Sequence, residues 1–492
     1  MSKPFLTFTF IIFVFLTCVF GVKSAKAQGF VAEITIDSQR SVAAVSGRFQ
    51  PHGTEFTHVN LSFAGSVAGH GDLGKRIQGV EVFDQRGAPV ALRKLIDSEY
   101  LAPAGVVSWK YEVDLKPLKD VNAAAHTSWI SGDRALLMLA DVLPTSEISG
   151  NVTLRLPADW NVFTAESSET GRVFKIRDAG RAVFALGREW QKVEIRDSGT
   201  NIDVVTSGRW HFTPAEAAAM AREVSGELSK ILGDTNNGRR QVILSNFPVT
   251  TRPGQWAAET RGDTVTIVSS DMPFRTQSLQ RLHEQLRHEL FHLWIPNGVN
   301  LTGSYDWFYE GFALYQSLKL AVELNRIRFE DFLDTLSRAH TIDSAQSRGT
   351  SLIQASATRF AGSNTQIYAR GMLVAFLCDL ALLDHSKGKR SVENVLADLF
   401  ARHRTPAAKV DANSAVVALL RSNPRVVPVV DKYVMGSEKI DWASDLASAG
   451  IEDSDAGILT NLRVKEKLTG RQKALLDKLG YNNWRKLTPT SK

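Results

Sequence analysis

The stretch RHELFHLW, residues 287–294, decides how the rest of this 492-residue chain is read. In the surrounding LQRLHEQLRHELFHLW, Leu282, Leu286, Leu290 and Leu293 recur at spacings of four, four and three, the pattern of one buried helical face. On that helix His288 and His292 sit one turn apart, about 6 Å along the axis, and project from the same side. Two imidazoles at this spacing suit two corners of a zinc tetrahedron, and Glu289 between them can take a proton from an attacking water. The same letters arise by accident in about one such chain in a hundred, so the pair alone does not fix the chemistry. His283 falls off that face and is expected to be solvated rather than a ligand.

A catalytic zinc usually takes three protein ligands and keeps a fourth position open. WFYEGFALYQSLKL supplies the third: Glu310 lies 18 residues after His292, at the start of an apolar-periodic helix. A first-turn glutamate is also favoured by the helix dipole alone, but Trp307, Phe308, Tyr309 and Phe312 are poor company for a solvated face. The expectation is one Zn2+ per chain on His288, His292 and Glu310, with Glu289 as general base.

With 43% hydrophobic and 22% charged residues, the chain has the composition of a soluble protein of two or three domains. At its start Lys3 precedes the apolar run FLTFTFIIFVFLTCVFGV, and Ala25 and Ala27 then form an A-x-A cleavage signal before Gln28. Residues 1–27 are therefore expected to be a secretory signal peptide, which implies export to a periplasm and no stable membrane insertion. An uncleaved anchor fits the length of the run but gives no reason for the alanines. Cleavage removes Lys3, Lys23 and Lys26 and no acid, taking the formal charge from +6 to +3, too little to argue for a nucleic-acid partner. The only cysteines are Cys18 and Cys378, so the mature chain is expected to have no internal disulfide.

From residue 28 to 198, short alternating segments such as FVAEITID, THVNLSFAG, SWKYEVDL, NVTLRLP and QKVEIRD are parted by Gly, Pro, Asp and Asn. That pattern predicts an all-β, sandwich-like domain. Thr213 can then cap a helix with Pro214 at its first position, running to Gly233. Within residues 199–451, QVILSN and DTVTIVSS predict strands, and 276–294, 307–323, 366–384 and 391–402 predict helices. Strands first and helices after make an α+β, mostly helical domain. Residues 452–492 predict a short helical extension around TGRQKALLDKLG.

HELFHLW followed by WFYEGFALY resembles the thermolysin-like (gluzincin) zinc metallopeptidases, and most closely the glycyl aminopeptidase family, with motifs like HExFHLW and W-x-x-EGF-x-x-Y. IYARGMLVAFLCDLALL resembles that family's Y-x-K-G-x-L-V-A-x-x-L-D segment, with Arg370 where lysine is usual. VVDKYVMGSEKIDWASDLASAGI resembles the segment closing its catalytic domain, with Tyr433 and Gly436 as structural markers. The resemblance implies a thermolysin-like catalytic domain, a peptide or protein substrate and, for Tyr368, a hydrogen bond to the oxyanion. A core tyrosine is the alternative at that position.

Where the family carries G-G-L-E-H-R-N-S-T, this chain reads WAAETRGDT, residues 256–264. Glu259, Arg261 and Thr264 keep their places, Trp256 and Ala257 replace the glycines, and Thr260 replaces the histidine. By the resemblance Glu259 holds the substrate's α-amino group, which makes the enzyme an exopeptidase, and Trp256 narrows the substrate cleft. Equally open is a cross-strand surface glutamate paired with Arg261. The 41 residues after Ile451 are too few for the PDZ-like module that the family often adds. Three functions follow: a zinc aminopeptidase, a zinc endopeptidase that has no need of Glu259, and a noncatalytic binding or envelope-maintenance protein that keeps the fold. An intact Glu289 argues against the last.

Overall fold

A computed structural model describes residues 29–49, 60–103, 105–145, 148–197, 200–234, 238–346, 349–453 and 459–487. The expected signal peptide lies outside the described residues, as do residues 57–59 of THVNLSFAG.

The front of the chain is built from sheets, because its strands alternate in burial. Along Gly29–Asp37, Phe30, Ala32, Ile34 and Ile36 are buried while the residues between them are not. That strand lies inside an eight-stranded sheet, parallel to Ser149–Arg155 and antiparallel to Val42–Phe49. A four-stranded sheet, Asn161–Thr164, Val183–Gly187, Arg134–Met138 and Trp129–Ser131 in order, supplies Leu137, Phe184 and Leu186 to the same core. The result is the expected sandwich-like β domain.

QKVEIRD departs from expectation. Read as the end of the front domain, Gln191–Asp197 instead pairs antiparallel with Thr200–Ser207 and opens a second, five-stranded sheet. A strand this close in sequence to its partner forms a hairpin with it rather than crossing to another sheet. The order continues through Arg240–Ser245 and Thr264–Ser269 to Trp256–Arg261, which lies at the edge. The three inner strands run parallel and are almost wholly buried.

Helices follow. Helix α1, Pro214–Leu232, begins at Thr213 with a capping box to Glu216. Helix α2, Arg275–Phe291, ends earlier than expected, with His292 as its C-cap at φ −67°, ψ −13°. Helix α3 spans Asp306–Glu323, and α4, Phe329–Ala345, was not expected from the sequence. Helix α5 spans Leu352–Ala357 and α6 Asn364–Ser386. Helix α6 is apolar and long enough to cross a membrane, but 83% of its most apolar window is buried inside the protein, which makes it a core helix.

One contact sets the geometry of the helical part. Helices α3 and α6 cross where Gly311 meets Gly371: a Cβ on Gly311 would lie 2.4 Å from the Gly371 backbone, and one on Gly371 would lie 2.6 Å from the Trp307 carbonyl oxygen. Only glycine allows so close a backbone approach. Glu310 precedes the first glycine and Tyr368 stands one turn before the second, so the crossing brings both to one place. At the chain's end Ile451–Asp453 pairs with Leu462–Val464, and helix Gly470–Lys478 adds Leu475 and Leu476 to the main core.

Candidate active site

His288 lies in the last turn of α2, His292 is its C-cap, and Glu310 is the fifth residue of α3. The His288 Nε2 lies 3.2 Å from the His292 Nε2 and 3.2 Å from Glu310 Oε2, and His292 Nε2 lies 3.6 Å from the same oxygen. All three residues are buried, and Glu310 Oε2 has no hydrogen-bond partner. The His292 Nδ1 faces the Ile295 carbonyl oxygen at 3.0 Å, which makes Nδ1 the protonated nitrogen and leaves the Nε2 lone pair for the cluster.

Three such atoms facing one another at these distances are held together by a proton or a metal cation among them. Zinc bonds of about 2.0–2.2 Å place tetrahedral neighbours about 3.3–3.5 Å apart, and the observed triangle fits that size. Among the described residues this is the one group of three such side chains that could hold a metal.

Electrostatics make the cluster a place where positive charge is favoured. Burial pushes the Glu310 carboxyl up, but the facing imidazoles of His288 and His292 and the Arg359 charge outweigh it and hold Glu310 well below the usual range. Burial likewise lowers the His292 imidazole, yet Glu310 and Glu289 more than compensate and raise it. Burial first, and then the Glu310 charge, drives the Tyr368 phenol well above its ordinary value, so that it remains a proton donor at neutral pH.

Glu289 stands beside the triangle, with Oε1 4.0 Å from His288 Nε2. The Thr260 hydroxyl lies 3.0 Å from its other oxygen. Trp256, Ala258, His288, Glu289 and Tyr368 line a cavity of about 1090 Å3, which continues along α2 past Glu284 and Arg281 to Gln277. The 11 residues from Gln277 to His288 make that length about 16 Å. The edge strand Trp256–Arg261 forms part of the wall, with one side of its backbone unpaired by any strand among the described residues.

Glu259 is placed otherwise. Successive strand side chains point to opposite faces, and Thr260 faces α2, so Glu259 faces the front domain. Both its oxygens are taken: Arg261 Nε lies 2.9 Å from one and His126 Nδ1 2.8 Å from the other. Burial would raise this carboxyl, but Arg261 and then His126 hold it below the usual range. The pairing with Arg261 is therefore present, and Glu259 does not line the large cavity, although 26% of its side chain stays exposed.

His283 is not solvated. It is 1% exposed, its Nε2 lies 3.1 Å from Glu223 of α1, and it contacts Arg287. The periodicity of the leucines revealed one buried face of α2, whereas α1 and α3 cover others.

Two site residues escaped the sequence reading. Thr260 stood out only as a replaced histidine, with no sign that it reaches Glu289. Arg359, in the short turn Arg359–Ala361 between α5 and α6, gave no signal at all. Its guanidinium lies 2.9 Å from Glu310 Oε1, 2.8 Å from Asp306 Oδ1 and 2.7 Å from the Tyr368 hydroxyl.

Among solved structures, the fold matches an aminopeptidase N family protein from Idiomarina loihiensis over 90% of this chain and 82% of that one, with TM-score 0.73 and 15% identity. The chain has the fold of the M1 zinc metallopeptidases. A mutant M1 zinc metallopeptidase from Deinococcus radiodurans, bound to a Tyr-Ser-Ala substrate, matches over 84% of this chain and 95% of its own, with TM-score 0.56 and 14% identity. Yeast LTA4 hydrolase matches over 85% and 67%, with TM-score 0.53 and 12% identity. No protein-family model and no curated protein sequence matches the chain. The M1 likeness is therefore one of fold, and the chemistry rests on the side chains described above.

Proposed function

We propose that this protein is an exported, periplasmic zinc metallopeptidase that removes amino-terminal residues from peptides, as the likeness of its motifs to the glycyl aminopeptidases suggests. The observation that carries the reading is the triangle of His288, His292 and Glu310, sized for zinc, with Glu289 at its side and an edge strand along the cleft.

A zinc ion held by those three residues would supply Lewis acidity, polarising a peptide carbonyl and making water easier to deprotonate. Glu289 accepts the water's proton at Oε1, while Thr260 fixes its Oε2. Tyr368, still protonated, donates a hydrogen bond to the carbonyl oxygen as negative charge develops there. The unpaired side of Trp256–Arg261 holds the peptide as an added strand, and Trp256 narrows the path. Trp307, Phe308 and Phe312, all fully buried, keep water away from the back of the site.

The motif likeness assigns the terminal amine to Glu259. Glu259 lies on the front-domain side of the edge strand, where His126 bonds it and His70 stacks on His126. One observation favours the endopeptidase instead: both Glu259 oxygens already have cationic or hydrogen-bonding partners.

Hydrolysis of aminoacyl anilides compared with amino-blocked peptides, using zinc-loaded protein, separates the readings. Turnover of free amino termini alone is expected. Cleavage of blocked peptides establishes the endopeptidase, and bound zinc with no turnover of either substrate overturns the catalytic reading.

A further inference from the structure

We infer that Arg359 is a positioning residue of this site, one that selects which oxygen of Glu310 faces the metal position and frees the Tyr368 proton for the substrate. The inference deepens the proposed zinc peptidase reading and rests on it.

Arg359 is 15% exposed at the side chain, and its whole guanidinium is engaged. Nη1 forms an ion pair with Glu310 Oε1 at 2.9 Å and donates to Asp306 Oδ1, Nη2 donates to the Tyr368 oxygen, and Nε donates to Asn364 Oδ1 at 3.2 Å. The cation also lies 5.4 Å from the centre of the Tyr368 ring. Asp306 is fixed in turn by the Tyr309 hydroxyl at 2.7 Å, and the Tyr309 ring packs edge-on against His292.

Two consequences follow from the chemistry of guanidinium, which is a donor at every nitrogen and an acceptor at none. First, with Oε1 of Glu310 held by Arg359, only Oε2 is left to face the two imidazoles, and it is the oxygen with no hydrogen-bond partner. The clamp thus presents one carboxylate oxygen rather than two, as a site with an open fourth position requires. Second, the Tyr368 oxygen accepts from Arg359, so its own O–H is turned away from the guanidinium, to the Glu310 carboxylate beside it and to a substrate oxygen that comes to lie there. A rigid fork makes both contacts at once, whereas a lysine ammonium keeps the charge but is a single point.

The test pairs Arg359→Lys and Arg359→Ala with Tyr368→Phe and reads zinc affinity by competition with a chelator as well as kcat and KM. Outer contacts of this kind change metal affinity or activity about 10- to 100-fold. Arg359→Ala is expected to weaken zinc binding about 10-fold or more, and Arg359→Lys to lower kcat about 100-fold with KM little changed. In the Tyr368→Phe background Arg359→Lys should lower kcat by less than about 5-fold, because the two act through one hydroxyl.

Wild-type zinc affinity in Arg359→Ala, or fully multiplicative kcat losses in the double variant, overturns the inference while leaving the peptidase reading intact. A wild-type protein that neither binds zinc nor cleaves peptides overturns that reading itself, and the inference with it. Unfolding midpoints of the metal-free variants identify a variant that has simply failed to fold; for that case Arg359→Gln, which retains two donors, supplies the same comparison.

Discussion

The Thr260 hydroxyl lies 3.0 Å from Glu289 Oε2 and 2.9 Å from the Glu289 carbonyl oxygen. It has a single proton, and the carboxylate is the stronger acceptor, so the edge strand of the sheet directly orients the general base. A hydrogen bond to a charged group contributes about 1.5–3 kcal/mol. Thr260→Val keeps the shape and removes the donor, and kcat should fall about 10-fold or more with zinc content and KM unchanged. Steady-state kinetics on the zinc-loaded variant checks this, and an unchanged kcat would show that Glu289 needs no such support.

The Gly311–Gly371 crossing is expected to be intolerant of a methyl group. A Cβ at 2.4 Å from backbone atoms cannot be relieved by a rotamer change, so α3 and α6 must move apart. Overpacking of this kind costs about 1–3 kcal/mol, and here it also displaces Glu310 from Tyr368. Gly311→Ala should therefore lower the denaturant midpoint and weaken zinc binding together. A variant that loses stability yet binds zinc as the wild type does would break the proposed link between the crossing and the site.

Glu323 makes stability depend on pH. Burial, and then the neighbouring Glu393 charge, pushes its carboxyl up to about 7 from an ordinary 4.5. Because the folded value lies above the unfolded one, the folded state keeps this proton longer, and stability falls as pH rises from about 4.5 to about 7. Allowing for partial solvent screening, the loss is about 1–2 kcal/mol. Glu323→Gln abolishes it. Chemical unfolding between pH 4.5 and 8 should show the wild type declining relative to the variant, and parallel curves would contradict the assignment.

Arg370, where the resembling family usually has lysine, holds Asp343 of α4 through Nε at 2.9 Å and Nη2 at 3.1 Å, both residues being buried. Removing one partner of such a pair strands the other charge and costs about 3–5 kcal/mol. Arg370→Met should lose about that much by chemical unfolding, and Arg370→Lys, which cannot make the paired contact, less.

What the sequence disclosed divides along a physical line. His288 and Glu289 lie on α2 and His292 caps it in a helical backbone conformation, so helical spacing alone sets their mutual geometry. Glu310 was legible because its aromatic neighbours announce burial. Helix α4 carries Phe329, Phe332, Leu333 and Leu336 at helical spacing, so its apolar face is legible in the sequence as well. Arg359 and Thr260 were not legible, because a turn between two helices and an edge strand reach the site only through tertiary packing. The direction of Glu259 was hidden for a related reason: whether a strand residue faces the cleft depends on the strand's register against its neighbours, here Glu259 opposite Thr266.

The central claim is that His288, His292 and Glu310 hold zinc for a reaction in which Glu289 moves the proton. Elemental analysis and peptide turnover of the wild type, Glu289→Gln and Glu310→Ala test it together. The account predicts about one zinc per chain in the wild type and in Glu289→Gln, turnover in the wild type alone, and little zinc in Glu310→Ala. Wild-type turnover in Glu289→Gln, or full zinc in Glu310→Ala, would contradict it.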